Sequence, residues 1–116
     1  MKNVEEKLNR LYKNLEKAKT FFFDNIKEIN SPIHIYTHLD ADGLSSGAIL
    51  GKTLYRERVP FQISVLKQLE KSEIQNISNK IKDNNGFLIF CDFGSGQYLE
   101  LQNNLIEKNN FTSFLI

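Results

Sequence analysis

The chain has one cysteine, two histidines and no apolar run approaching the ~20 residues that cross a bilayer. A lone Cys91 excludes an internal disulfide, and its neighbours Ile89, Phe90 and Phe93 mark it as a small buried hydrophobe, not a reactive thiol. Lys2 and Asn3 are followed by Glu5 and Glu6 with no apolar segment behind them, so the N-terminus does not resemble a secretory signal. These absences imply a soluble, cytoplasmic protein with no membrane partner. Charge of one sign is lacking too. With 15 Lys plus Arg against 14 Asp plus Glu, the net charge of +1 gives no overall electrostatic argument for nucleic acid, although a local groove can be basic on a neutral protein. No Ser-His-Asp set is visible, because Ser45 and Ser46 have no base nearby in sequence. No repeat, low-complexity tract or linker divides the 116 residues, which suffice for one domain but are few for a complete enzyme with several metal ligands.

What is present is alternation. Residues 3 to 30 predict one long helix, with apolar residues four and three apart at Val4, Leu8, Leu11, Leu15, Ala18, Phe22 and Ile29 and one position, Asn25, missed. This heptad seam fits a helix laid on its own domain, or a coiled coil or partner-binding helix. Asn30-Ser31-Pro32 ends it and sets a boundary between an N-terminal helix, residues 1–30, and an α/β unit, residues 31–116.

Ile33 to His38 reads as a buried strand and Gly43 to about Arg58 as the helix after it, with Gly47 and Gly51 on one face for close packing on a sheet. Phe61 to Leu66 alternates like an exposed or edge strand. Ser72-Glu73-Ile74-Gln75 has the form of a capping box, and Ile74, Ile77 and Ile81 give the next helix one apolar stripe. Phe87 to Cys91 is a continuous apolar run, as in a central strand. Tyr98 to about Lys108 has a less regular helical spacing, and Phe111 to Ile116 looks like a last strand. This order predicts an α/β fold: a parallel, Rossmann-like sheet with flanking helices, preceded by a long N-terminal helix.

Two loops then stand at C-terminal strand ends, one with Asp40 and Asp42 and one with Asp92, and in such a sheet both face one crevice. Carboxylates gathered there repel one another unless a divalent cation neutralises them, which points to Mg²⁺ or Mn²⁺. His38 shares strand parity with Asp40 and would favour Mn²⁺. Gly43, Ser45 and Ser46 are expected in the first helical turn, where free N–H groups attract phosphate, with Gly94, Ser95 and Gly96 as a second anion-binding loop. Metal and anion loops together suggest phosphate ester chemistry. Plainer readings stand beside these: Asp42 as a helix cap, and His34 as a satisfied core histidine. A calcium loop fits poorly, since Ile49 would stand where a bidentate Glu belongs.

On His38-x-Asp40-x-Asp42-Gly43, extended by Leu44-Ser45-Ser46-Gly47-Ala48-Ile49, and on the strand ending in Asp92 with Gly94-Ser95-Gly96-Gln97 behind it, the chain resembles the DHH-family phosphoesterases, most closely the archaeal RecJ-like proteins. The resemblance covers about residues 32 to 116. It implies two Mn²⁺ or Mg²⁺ ions, Asp40 and Asp42 each binding one and Asp92 bridging them, and hydrolysis of single-stranded DNA or RNA by metal-activated water. The pattern departs in two places. The ligand histidine of the pyrophosphatase branch lies four residues before the first Asp, whereas His38 lies two before; and no histidine follows His38, so the family's Asp-His-His motif is absent. These residues are therefore expected to be the N-terminal portion of a longer enzyme, incomplete for catalysis alone. An alternative within the resemblance is an inactive RecJ-like structural subunit that docks replisome proteins through the N-terminal helix. A haloacid-dehalogenase-like phosphatase, with Asp40 as nucleophile, fits less well because Leu44 stands where that family wants a threonine.

Overall fold

Ile33, Ile35, Tyr36 and Thr37 are β-branched or aromatic and suit a pleated strand covered on both faces; all four are buried in β1 (Ile33–His38). The computed structural model describes residues 2–26, 32–80, 86–93, 95–107 and 113–115. β2 (Phe61–Leu66) runs parallel to β1 on one side, from Ile33 against Phe61 to His38 against Leu66. β3 (Phe87–Cys91) runs parallel on the other, with Tyr36 against Phe90 and Thr37 against Cys91. β4 (Ser113–Leu115) continues outward from β3, giving a four-stranded parallel sheet in the order β2-β1-β3-β4. β2 is thus an edge strand, and Ile63 and Val65 are partly exposed on it.

Three helical connections cross the sheet: α2 (Ala41–Arg56), α3 (Lys71–Lys80) and α4 (Tyr98–Leu101), the last widening into a π-helical stretch (Gln102–Glu107). Strand parity sorts the core into two layers. Tyr36, Leu88 and Phe90 meet Ile74 and Ile77 of α3 together with Leu69, Leu101 and Leu105. Ile33, Ile35, Phe87 and Ile89 meet Leu54 of α2 on the opposite face. Leu101 and Leu105, four residues apart, share the face that reaches the core, while Leu99 faces solvent.

α2 packs closely because its sheet face lacks side chains. A Cβ at Gly47 would stand 3.1 Å from the Thr37 methyl, and one at Gly51 would stand 2.9 Å from Ile63 Cδ1. The helix begins at Ala41, earlier than the expected Gly43, since Asp40 is extended (φ −150°) and caps it with its side chain. It ends at Arg56 with two backbone hydrogen bonds of Schellman form, Arg58 N–H to the Tyr55 carbonyl at 3.1 Å and Val59 N–H to that of Leu54 at 2.9 Å. Arg58 takes the left-handed conformation there, φ 59°, where glycine is usual. α3 also starts earlier than predicted: Ser72 lies inside it, and the Glu70 carbonyl takes the Ile74 N–H at 3.0 Å, so the expected capping box does not form. Its predicted stripe holds at Ile74 and Ile77, while Ile81 lies outside the described residues.

The N-terminal helix departs most from the simpler expectation. α1 (Lys2–Ile26) has no buried residue. It is not laid along its own domain: only its last turns reach the core, through Phe22 and Ile26 against the α2-side layer and through the Phe21 and Phe22 rings, 5.7 Å and 5.4 Å from that of Phe87. The remaining predicted positions, 27 to 30, lie outside the described residues.

Candidate metal centre

In the order β2-β1-β3-β4 the chain path reverses between β1 and β3, and ligands of open parallel sheets collect at the C-terminal strand ends beside such a reversal. His38 is the last residue of β1 and Asp92 the first after β3. Asp92 has a left-handed backbone, φ 66°, a conformation that Asp tolerates better than most residues. Asp40 completes the group as the cap of α2. One donor atom from each of His38, Asp40 and Asp92 lies within 4.8 Å of the others.

The contacts are specific. His38 Nδ1 is 2.9 Å from Asp40 Oδ2 and 3.5 Å from Asp92 Oδ2. The other Asp40 oxygen accepts the Gly43 N–H at 2.7 Å. Gly43 is required at that point: a Cβ there would overlap the His38 carbonyl oxygen, so only glycine lets α2 start against the end of β1. Buried Thr37 ties the same turn down, its hydroxyl donating to the Gly43 carbonyl at 2.5 Å.

The Gly43 N–H, with the neighbouring His38, holds the Asp40 carboxyl below its usual range despite partial desolvation. Asp92 moves up, first because it shares a hydrogen bond with Asp40, then through desolvation and the negative charges of Asp40 and Asp42, against the pull of His38. Desolvation draws the His38 imidazole down, but the Asp40 charge and hydrogen bonds to Asp40, Asp92 and the Lys67 backbone outweigh it, and the net is up. A donor set of two carboxylates and an imidazole fits Mn²⁺ or Mg²⁺.

The other predicted residues are placed differently. Asp42 is exposed in the first turn of α2, outside the three-residue group, and acts on Asp92 only by its charge. The helix cap is Asp40 and not Asp42. Ser45 and Ser46 lie in the second turn, because α2 starts at Ala41; the Ser46 hydroxyl is used on the Asp42 carbonyl at 2.7 Å, and the Gly43 N–H on Asp40. Among the described residues the N–H groups of Ala41 and Asp42 at this helix start have no backbone partner, while that of Leu44 reaches the Asp40 carbonyl at 2.9 Å. Gly94 lies outside the described residues; Ser95 to Gln97 form a single 3₁₀ turn in which Gly96 is exposed.

His34 is a satisfied core histidine, 2.7 Å from the Ser64 hydroxyl and stacked on Tyr36. Cys91 is half-buried, and burial followed by the Asp92 charge pushes its thiol up, away from reactivity. Sequence reasoning missed Lys67 and Phe93, which with His38, Asp92 and Gln97 line a cleft of about 270 Å³. Lys67 directly follows β2, at the strand end beside His38, which was a usable signal.

The fold and site define a parallel α/β protein with an acidic, histidine-containing cluster at the switch point of its sheet. No family model matches the chain. The chain is similar to the uncharacterized protein MJ0831 of Methanocaldococcus jannaschii, 36% identical over 104 residues, a match that covers 90% of this chain and 23% of that protein. It thus spans less than a quarter of the length of that relative. Among the described residues no helix is long and apolar enough to cross a membrane.

Proposed function

We propose that the chain is the N-terminal portion of a divalent-metal-dependent phosphoesterase of the DHH type, RecJ-like, acting on single-stranded DNA or RNA in the cytoplasm. The observation that carries this reading is the convergence of His38, Asp40 and Asp92 donors within 4.8 Å at the switch point. Mn²⁺ or Mg²⁺ would be held by these three, with Asp42 adding negative charge nearby. Such an ion supplies a water of lowered pKa and counter-charge for phosphoryl oxygens. The chain's own part is positioning. The Gly43 N–H fixes one Asp40 oxygen and leaves the other facing His38. Lys67 at the cleft rim offers a positive charge to a phosphate, and Phe93, whose ring lies 5.9 Å from that of His38, forms an apolar wall. By the family resemblance a second ion would need an Asp-His-His motif, which these residues lack, so the chain alone binds metal without turnover.

Mn²⁺ titration of the 116-residue chain, read by the loss of the free-ion electron paramagnetic signal, tests the reading. Saturable binding that weakens at least ten-fold in both Asp40→Asn and Asp92→Asn is expected. Absence of binding at millimolar Mn²⁺ refutes it. The longer protein should in turn shorten labelled single strands with Mn²⁺ and not with a chelator. A second reading, an inactive subunit that docks replisome proteins, is favoured by the exposed seam of α1; metal binding with no nuclease activity in the longer protein would select it.

A further inference from the structure

We propose that the exposed seam of α1 is the interface of an antiparallel dimer of this chain. Val4, Leu8, Leu11 and Leu15 are 60%, 46%, 52% and 54% exposed, although they repeat at heptad spacing. The four-and-three stripe from Val4 to Phe22 has the spacing of a two-stranded coil, with Tyr12 and Phe21 exposed at its flanks, whereas a helix lying on a membrane presents a mainly basic face opposite its apolar one. Here Lys7, Arg10, Lys13 and Lys17 are interspersed with Glu5, Glu6, Glu16 and Asp24.

The heptad places Leu8, Leu15 and Phe22 at a positions and Val4, Leu11 and Ala18 at d. Antiparallel helices stack a on d, and one register uses all of these positions: Leu11 on the partner's Leu15, Leu8 on the partner's Ala18, Val4 on the partner's Phe22. In the outer two layers a larger side chain meets a smaller one, which fills the seam evenly. The flanking e positions then bring Glu5 against the partner's Lys19 twice, with Tyr12 at the two-fold axis. Parallel pairing would set Lys7 beside Tyr12 and Asn14 beside Lys19, with no opposite charges. Among the described residues neither Glu5 nor Lys19 has an ion pair within its own chain. Phe22 is half-buried against Phe87, so the outermost layers form where each helix joins its domain, and the two domains sit at opposite ends of the coil.

Sedimentation equilibrium of the 116-residue chain is the test. A concentration-dependent species of twice the 13.5 kDa chain mass is expected. Leu11→Asp should abolish it while leaving the far-ultraviolet circular dichroism of the domain intact. Glu5→Lys and Lys19→Glu should each raise the dissociation constant roughly ten-fold, and the double swap should restore it. A monomer at all accessible concentrations overturns the proposal, as does a dimer indifferent to Leu11→Asp or a double swap that fails to rescue. A monomer whose seam amides resist hydrogen exchange also overturns it, since the occupant would then come from within the chain.

Discussion

Replacing Gly43 with alanine puts one methyl group where β1 ends and α2 begins. The added Cβ would overlap the His38 carbonyl oxygen and stand 2.8 Å and 2.9 Å from the carbonyl carbon and amide nitrogen of the same residue. All three are backbone atoms of a strand paired on both sides, so no rotamer change relieves the contact. The start of α2 must retreat, stretching the Thr37 hydroxyl to Gly43 carbonyl bond and the Gly43 to Asp40 cap. Overpacking costs about 1 to 3 kcal/mol, and a buried hydrogen bond and a helix cap contribute about 1 kcal/mol each, so a loss of roughly 3 to 5 kcal/mol is expected. With an unfolding entropy of about 2.1 cal/mol/K per residue, this lowers the melting temperature of a 116-residue chain by about 12 to 20 °C. Thermal unfolding by circular dichroism reads this directly, with the other glycines as controls. Gly51→Ala meets the far end of the Ile63 side chain, which can yield, and alanine gains up to about 1 kcal/mol of helix propensity, so it should lie near the parent; Gly47→Ala presses on the Thr37 methyl, which the Thr37 hydroxyl bond to the Gly43 carbonyl holds in place, and should fall between Gly51→Ala and Gly43→Ala. Gly96→Ala meets nothing within 4 Å and should be neutral. A Gly43→Ala protein that melts within a few degrees of the parent, or above Gly51→Ala, would refute the reasoning.

Other perturbations have equally definite outcomes. Asp92→Asn keeps a residue that tolerates the left-handed backbone and removes a carboxylate beside Asp40; it should fold at least as stably as the parent and bind Mn²⁺ at least ten-fold more weakly, and unchanged affinity in the titration would remove Asp92 from the site. Arg58→Gly relieves a left-handed arginine at the end of α2 and should stabilise by about 0.5 to 1 kcal/mol in urea unfolding; a net loss would show that the Arg58 side chain contributes more than its backbone costs. Tyr36 has a buried hydroxyl with no hydrogen-bond partner among the described residues, and burial pushes its pKa up to about 12. Tyr36→Phe should therefore be neutral or stabilising by up to about 1 kcal/mol, and a loss above that would reveal a partner. Burial, then the Lys80 charge, lowers the pKa of His34, so the folded state binds its proton less readily than the unfolded chain does. Stability from His34 is complete above the usual value of 6.5 and is lost as pH falls from there through the folded value. His34→Gln should flatten the fall in urea midpoint across that window, and an unchanged slope would assign the acid sensitivity to other groups.

The sequence was most legible where one local period had one physical meaning. Alternation and apolar runs marked β1, β2 and β3, since a parallel strand buried on both faces needs little but apolar residues and an edge strand needs alternation. Helix starts were less legible. Ser72 had the right neighbours for a cap, and Gly43 and the two serines after it had the right composition for a phosphate-binding turn. The starting residue was set instead by where the chain could leave the preceding strand. For α1 the heptad was plain, but a heptad states only that a face is apolar and not what covers it.

The amino-acid sequence by itself determined the order of elements, the parallel sheet and the two loops bearing Asp40 and Asp92, because these follow from side-chain periodicity and chain connectivity. Only the tertiary structure decided that His38 joins Asp40 and Asp92 while Asp42 stands apart. That choice depends on β1 pairing beside β3, on the left-handed turn at Asp92, and on a glycine small enough to let α2 begin against the His38 backbone. These are contacts between residues distant in the chain, and no local pattern encodes their distances.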